Sequence, residues 1–125
     1  MMPLFSVRPD GRPDVSWDDP YDPRSLLAHF IGSEIYLFLD NAEVFLQAVA
    51  TVERGEKDAW RWSGNSFSVD LNKEGCTITH HWTEPGDPFP GVAKLTLQEF
   101  GAVIASWRDF VTRQQERQSA VADRA

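Results

Sequence analysis

Along residues 41–54, NAEVFLQAVATVER, apolar side chains return at the three- and four-residue spacing of one helix face: Phe45, Ala48, Val49 and Val52. Asp40 followed by Glu43 fits a capping box at the start, and Gly55 suits the left-handed position after the end. A longer helix is predicted over 97–118, LQEFGAVIASWRDFVTRQQERQ, with Phe100, Val103, Ile104, Trp107 and Val111 as its apolar stripe. Thr96 and Glu99 form its capping box, and Asp109 and Arg113 an i,i+4 pair on its wet side. Residues 119–125, SAVADRA, are expected to fray.

Between these helices the period shortens to two. Residues 60–82, WRWSGNSFSVDLNKEGCTITHHW, read as two consecutive hairpins. A Gly64-Asn65 loop would pair Trp62 with Phe67 and Trp60 with Val69. A turn at Asn72-Lys73-Glu74-Gly75 would pair Leu71 with Cys76, Val69 with Ile78 and Phe67 with His80. Trp82 is expected on the same apolar face, with Ser66, Ser68, Asp70, Thr77, Thr79 and His81 on the other. Burying each large inward side chain stabilises by roughly 1.5–3 kcal/mol, so the Trp-rich stretch reads as framework.

The remaining segments are irregular or short. RSLLAHFI, residues 24–31, makes a short helix that Gly32 would stop, with Leu26, Leu27 and Phe30 buried. EIYLFLD, residues 34–40, is nearly continuous in apolar character, and extended or irregular chain is expected there. EPGDPFPGV, residues 84–92, is a Pro- and Gly-punctuated loop before a short strand at 93–96. Residues 1–23 hold five Pro and five Asp, too many Pro for a helix or a central strand. They are predicted to lie on the domain as an extended arm anchored by Leu4, Phe5, Val7, Val15 and Trp17, with a short edge strand near Leu4–Val7. The fold class is thus α+β: a small antiparallel sheet with two main helices on one face, in one domain over 24–118.

Composition adds limits. The net charge is −7, with 19 acids against 12 bases, and residues 1–58 carry most of the excess. Such a surface repels nucleic-acid phosphates and attracts basic partners. No apolar run is long enough to span a membrane, and MMPLFSVRPDGRPD has no secretory signal pattern, so a soluble cytoplasmic protein is expected. The single Cys76 forms no internal disulfide.

Chemical motifs are weak. His80 and His81 point to opposite faces of a strand, so they do not readily chelate one ion. His81, Glu84 and Asp87 are acceptable metal-ligand types without a specific spacing. Cys76 has no evident activating neighbour, and no nucleophile elbow, P-loop or dinucleotide fingerprint occurs. No catalytic residue, metal or cofactor is expected.

Binding is the better prospect. WDDPYD, residues 17–22, sets Trp17 and Tyr21 among Asp18, Asp19 and Asp22, a combination of rings and carboxylates suited to a basic protein partner. Glu34 extends this acidic surface. A competing surface combines Asp70, His81, Glu84 and Asp87 on the polar sheet face and its loop.

The order of helix, W-x-W-x-G-N-x-F-x-V-x-L, turn, C-x-I, acidic loop and L-T-L-Q-E-F…W-R-D-F resembles small bacterial proteins of the contact-dependent inhibition immunity group and the YacL-like proteins. The resemblance covers residues 40–112, with a weaker match at Ser25–Phe30, through Trp60, Trp62, Gly64, Phe67, Val69, Ile78, Leu97, Phe100, Trp107 and Phe110. It implies a non-enzymatic protein that binds and neutralises a cognate toxin domain, often a nuclease with a basic active site. The alternatives are a regulatory interaction domain without a toxin partner and a small metal-dependent hydrolase.

Overall fold

The computed structural model describes residues 3–124. The elements run β1 (Leu4–Val7), β2 (Pro13–Ser16), α1 (Ser25–Phe30), a π-helical turn (Ile31–Ile35), α2 (Leu39–Glu53), β3 (Ala59–Ser63), β4 (Phe67–Asn72), β5 (Gly75–His80), β6 (Val92–Leu95) and α3 (Leu97–Arg124). β3 to β6 form a four-stranded antiparallel sheet in chain order, and β1 with β2 forms a separate two-stranded ribbon. The fold is α+β, with a small antiparallel sheet and packed helices.

The core lies where the two periodicities meet. Phe45, Ala48, Val49 and Val52 of α2 and Phe100, Val103, Ile104, Trp107 and Val111 of α3 are all buried. They face Phe67, Val69 and Leu71 of β4, Cys76 and Ile78 of β5, and Ala93 and Leu95 of β6, also buried. α2 packs along α3 and over β3 and β4, while α1 reaches β5 and β6. Arg61, Asp70, Thr77 and Lys94 lie on the opposite face of the sheet, where Arg61 and Asp70 form a cross-strand ion pair at 3.5 Å.

The β4–β5 register is the predicted one: Leu71 opposite Cys76, Val69 opposite Ile78, Phe67 opposite His80. The β3–β4 register differs by two residues, with Trp62 opposite Val69 and Trp60 opposite Leu71. The loop closes one pair later, where Gly64 N–H donates to the Phe67 carbonyl at 2.8 Å. A shift of two keeps every side chain on its predicted face. Trp60 and Trp62 are only half-buried, because β3 is the sheet edge; their rings meet Phe45 edge-on at 5.7 and 5.1 Å. Trp82 does not continue the apolar face. The strand ends at His80, whose imidazole Nδ1 shares a 2.7 Å hydrogen bond with Thr83 Oγ1, and Trp82 is 67% exposed.

The start of the chain is more structured than an extended arm. β1 falls where the edge strand is expected, but Pro13–Ser16 returns beside it as β2 through a turn with Gly11 at φ 86°. Phe5 anchors the ribbon, its ring 5.2 Å from Trp107 and 5.6 Å from Phe110. Val15 also packs on the core, whereas Leu4 and Val7 are exposed.

Gly32 does not stop α1. The chain widens into the π-helical turn because Ile31 and Ile35 both gain full burial, and Tyr36 N–H closes it on the Ile31 carbonyl, five residues back, at 2.7 Å. Glu34 is therefore helical, and Tyr36 takes a φ of 35°. α2 begins at Leu39, so Asp40 lies inside the first turn and caps nothing. Glu43 instead accepts from Arg108 of α3 at 2.9 Å. Arg108 also holds Asp109 at 3.1 Å, displacing the expected Asp109–Arg113 pair. The Thr96–Glu99 box is present in both directions, at 2.9 and 3.1 Å. α3 continues to Arg124, past the fraying expected at 119, with no Gly or Pro after Gly101; Ala125 lies outside the described residues.

Candidate partner-binding surface

The segment WDDPYDPR folds by local carboxylate chemistry. Asp22 accepts three bonds from Arg24: from its backbone N–H at 2.9 Å, Nε at 3.1 Å and Nη2 at 2.8 Å. Those bonds hold the Asp22 carboxyl below its ordinary range and raise the Arg24 guanidinium. The same guanidinium lies over the Trp17 ring, 5.1 Å from its centre. Trp17 and Asp22 thus hold the segment together.

Asp19 turns the chain by accepting from the Tyr21 backbone N–H at 2.9 Å. The turn sends the Tyr21 ring outward, where it stacks on Phe89 with centroids 5.5 Å apart and planes 4° apart. Both rings stay in contact with solvent, Tyr21 at 62% and Phe89 at 53% exposure. Asp18 is exposed beside them in sequence.

Phe89 belongs to the loop between β5 and β6, which also carries Glu84 and Asp87. Asp87 accepts from the Glu84 backbone N–H at 2.8 Å, closing a turn. The arm and the loop part of the competing surface therefore meet at the Tyr21–Phe89 stack. Beside it opens a cavity of about 360 Å³ lined by Trp17, Pro20, Ser25, His29 and Pro90 among others.

The other expected residues are placed elsewhere. Glu34 accepts from the Ser66 backbone N–H at 3.4 Å, so it braces the β3–β4 hairpin tip. Asp70 is tied to Arg61 on the open sheet face. His81 Nε2 shares a 2.6 Å hydrogen bond with the buried Ser68 hydroxyl.

His81, Glu84 and Asp87 do not gather: among the described residues no group of three or more His, Cys, Asp or Glu side chains is arranged to hold a metal ion. Cys76 is buried, which pushes its thiol up to about 12, with the nearby Asp70 charge adding to the effect. It is a poor nucleophile at neutral pH. His80 is held below its ordinary value, first by burial and then by the charges of His29 and His81.

Phe89 was not among the expected binding residues. Its signal was an isolated aromatic inside a Pro- and Gly-rich loop, with no periodic partner to bury it. Among the described residues no helix is long and apolar enough to cross a membrane. Comparison with family models, curated proteins and solved structures gives no match for this chain.

Proposed function

We propose that the chain is an immunity protein. It binds a cognate bacterial toxin domain, a basic nuclease, and covers the surface with which the toxin engages nucleic acid. It acts in the cytoplasm of the cell it protects and uses neither catalysis nor a cofactor.

The observation that carries this reading is the exposed Tyr21–Phe89 stack, at 5.5 Å and 4°, at the junction of two acid-bearing segments. Stacked rings left in solvent gain little for the folded monomer, while aromatic anchors dominate the energetics of interfaces. The net charge of −7 favours capture of a basic protein and disfavours nucleic acid itself. The resemblance to the immunity group through Trp60, Trp62, Phe67, Phe100 and Trp107 concerns framework residues and supports the same direction.

The test is co-expression with the product of the open reading frame immediately upstream, followed by pull-down and a growth assay. A complex should form and growth should be protected. Association should slow markedly as salt is raised. The Tyr21→Ala variant with Asp18→Lys should weaken the complex by at least ~2 kcal/mol, a typical hot-spot loss. The reading fails if the two proteins do not associate, or if that double variant protects as well as the parent chain.

A further inference from the structure

All three histidines of the chain gather at the base of the loop that carries Phe89. His80, the last residue of β5, closes that loop. Its backbone N–H donates to the Gly91 carbonyl at 2.8 Å, and its Nδ1 shares the 2.7 Å hydrogen bond with Thr83 Oγ1. Thr83 and Gly91 lie directly against each other: a methyl group added at Gly91 would sit 2.7 Å from Thr83 Cβ. The two ends of the loop therefore meet at one residue.

The short helix α1 completes the arrangement. The His29 and His80 ring centres are 5.7 Å apart, and Phe67 touches both, at 5.4 Å from His29 and 4.9 Å from His80. His29 also lines the cavity of about 360 Å³ whose other walls include Trp17, Phe89 and Pro90. The two imidazoles thus stand where the loop is seated on α1, next to the cavity that adjoins the Tyr21–Phe89 stack.

No counter-charge is supplied to them. Among the described residues none of the three imidazoles forms an ion pair. From β4 the pair meets the uncharged Phe67, and the charges that act on His80 are those of His29 and His81. His81 is bonded to the Ser68 hydroxyl at 2.6 Å and the Asn65 carbonyl at 3.4 Å. Arg24, at the start of α1, is taken by Asp22, and Asp87 of the loop by the Glu84 backbone N–H.

A proton added to either imidazole opposes a proton on the other, and the closed loop holds the two together. Opening the loop parts them and returns His80 to water, so proton uptake favours the open form. We propose that the His29–His80 pair is a pH-responsive latch: when both imidazoles are charged the loop 81–91 lifts from α1, parting Phe89 from Tyr21 and dismantling the partner-binding surface. Release of a partner by acid rests on the immunity reading; the opening of the loop does not.

NMR of the full chain from about pH 8 to about pH 5, the range in which histidine ordinarily titrates, tests the opening. Ring-proton contacts between Tyr21 and Phe89 should be strong at the upper end and fade toward the lower. The open population should rise by roughly tenfold, the size expected of two like charges at this separation near a protein surface. The methyl resonances of the buried Ile78 and Ile104 should stay in place, since the core remains folded. His29 is exposed, so His29→Gln leaves the core untouched and should shrink the change. His29→Gln combined with His80→Gln should remove most of it. A stack that persists unchanged to the acid end in the parent chain overturns the proposal. So does a double variant that opens as the parent does, or a stack lost only together with the core methyl signals. The readout uses no partner, so it can fail while a toxin complex still forms at neutral pH, and it can succeed where no complex forms.

Discussion

His80 shows how one residue can be placed by sequence and yet acquire its properties from neighbours that sequence does not display. Alternation set it on the apolar face, opposite Phe67, and the rings lie 4.9 Å apart. Nothing in the spacing brought His29 of α1 to 5.7 Å, or Thr83 onto the imidazole. Burial and the two other histidines hold its protonation below the ordinary value of 6.5. As pH falls below 6.5 the unfolded chain takes up this proton first, so the native state is favoured fully above 6.5 and loses ground below it. Ring-proton NMR should place the His80 midpoint under 6.5, and the decline in stability below that pH should flatten in the His80→Gln variant. A midpoint at or above 6.5 would contradict the account.

The composition of WDDPYD suggested a binding surface, but it did not show how its carboxylates divide their contacts. Asp22 and Trp17 are consumed by Arg24, and Asp19 by a turn, leaving Asp18 and Tyr21 outward. A side chain two residues away competes for an acid as effectively as a distant partner, and residue type alone does not say which wins.

At the scale of elements, the two capping boxes make the contrast. Thr96 and Glu99 satisfy each other's backbone N–H groups, and those bonds hold the Glu99 carboxyl below its ordinary range. Asp40 and Glu43 have the same spacing and make no such cap. The second case fails because burial of Ile31 and Ile35 draws the preceding chain into the π-helical turn and starts α2 two residues earlier than expected, at Leu39.

Removing the Thr96 cap by Thr96→Ala should destabilise the fold by about 1 kcal/mol, whereas Asp40→Ala should change stability by only a few tenths. Chemical denaturation of the two variants checks the contrast; equal losses would refute it. Periodicity located β3, β4 and β5, the short strand expected at 93–96 is β6, and the β4–β5 register followed from the four-residue turn. The β3–β4 register did not, since Gly64, Asn65 and Ser66 offer two loops that both keep the tryptophans on the same face.

For the whole molecule, residues 3–16 are the main revision. The edge strand at Leu4–Val7 was expected, but five Pro in residues 1–23 concealed its partner β2, which is only four residues long. The ribbon is joined to the far end of the chain: Phe5 covers the fully buried Trp107, and the Gln118 side chain donates to the Gly11 carbonyl at 2.9 Å. It should therefore unfold with the domain. Phe5→Ala should cost about 2–3 kcal/mol, less than a fully buried Phe because the ring is half-covered. Ellipticity and tryptophan fluorescence should report one common midpoint in both proteins. Separate midpoints would show the ribbon to be an appendage.

The main sheet ends on β3, which pairs with β4 alone, so one row of its backbone amides and carbonyls faces outward with no neighbouring strand. Ala59 and Arg61 offer no proline or bulge to discourage a stranger from adding there; the charge of Arg61 and the net charge of −7 are what oppose addition at this edge. Acidification that neutralises the carboxylates removes that barrier while the row stays open, which makes mildly acidic storage the condition most prone to fibrous precipitation of this protein.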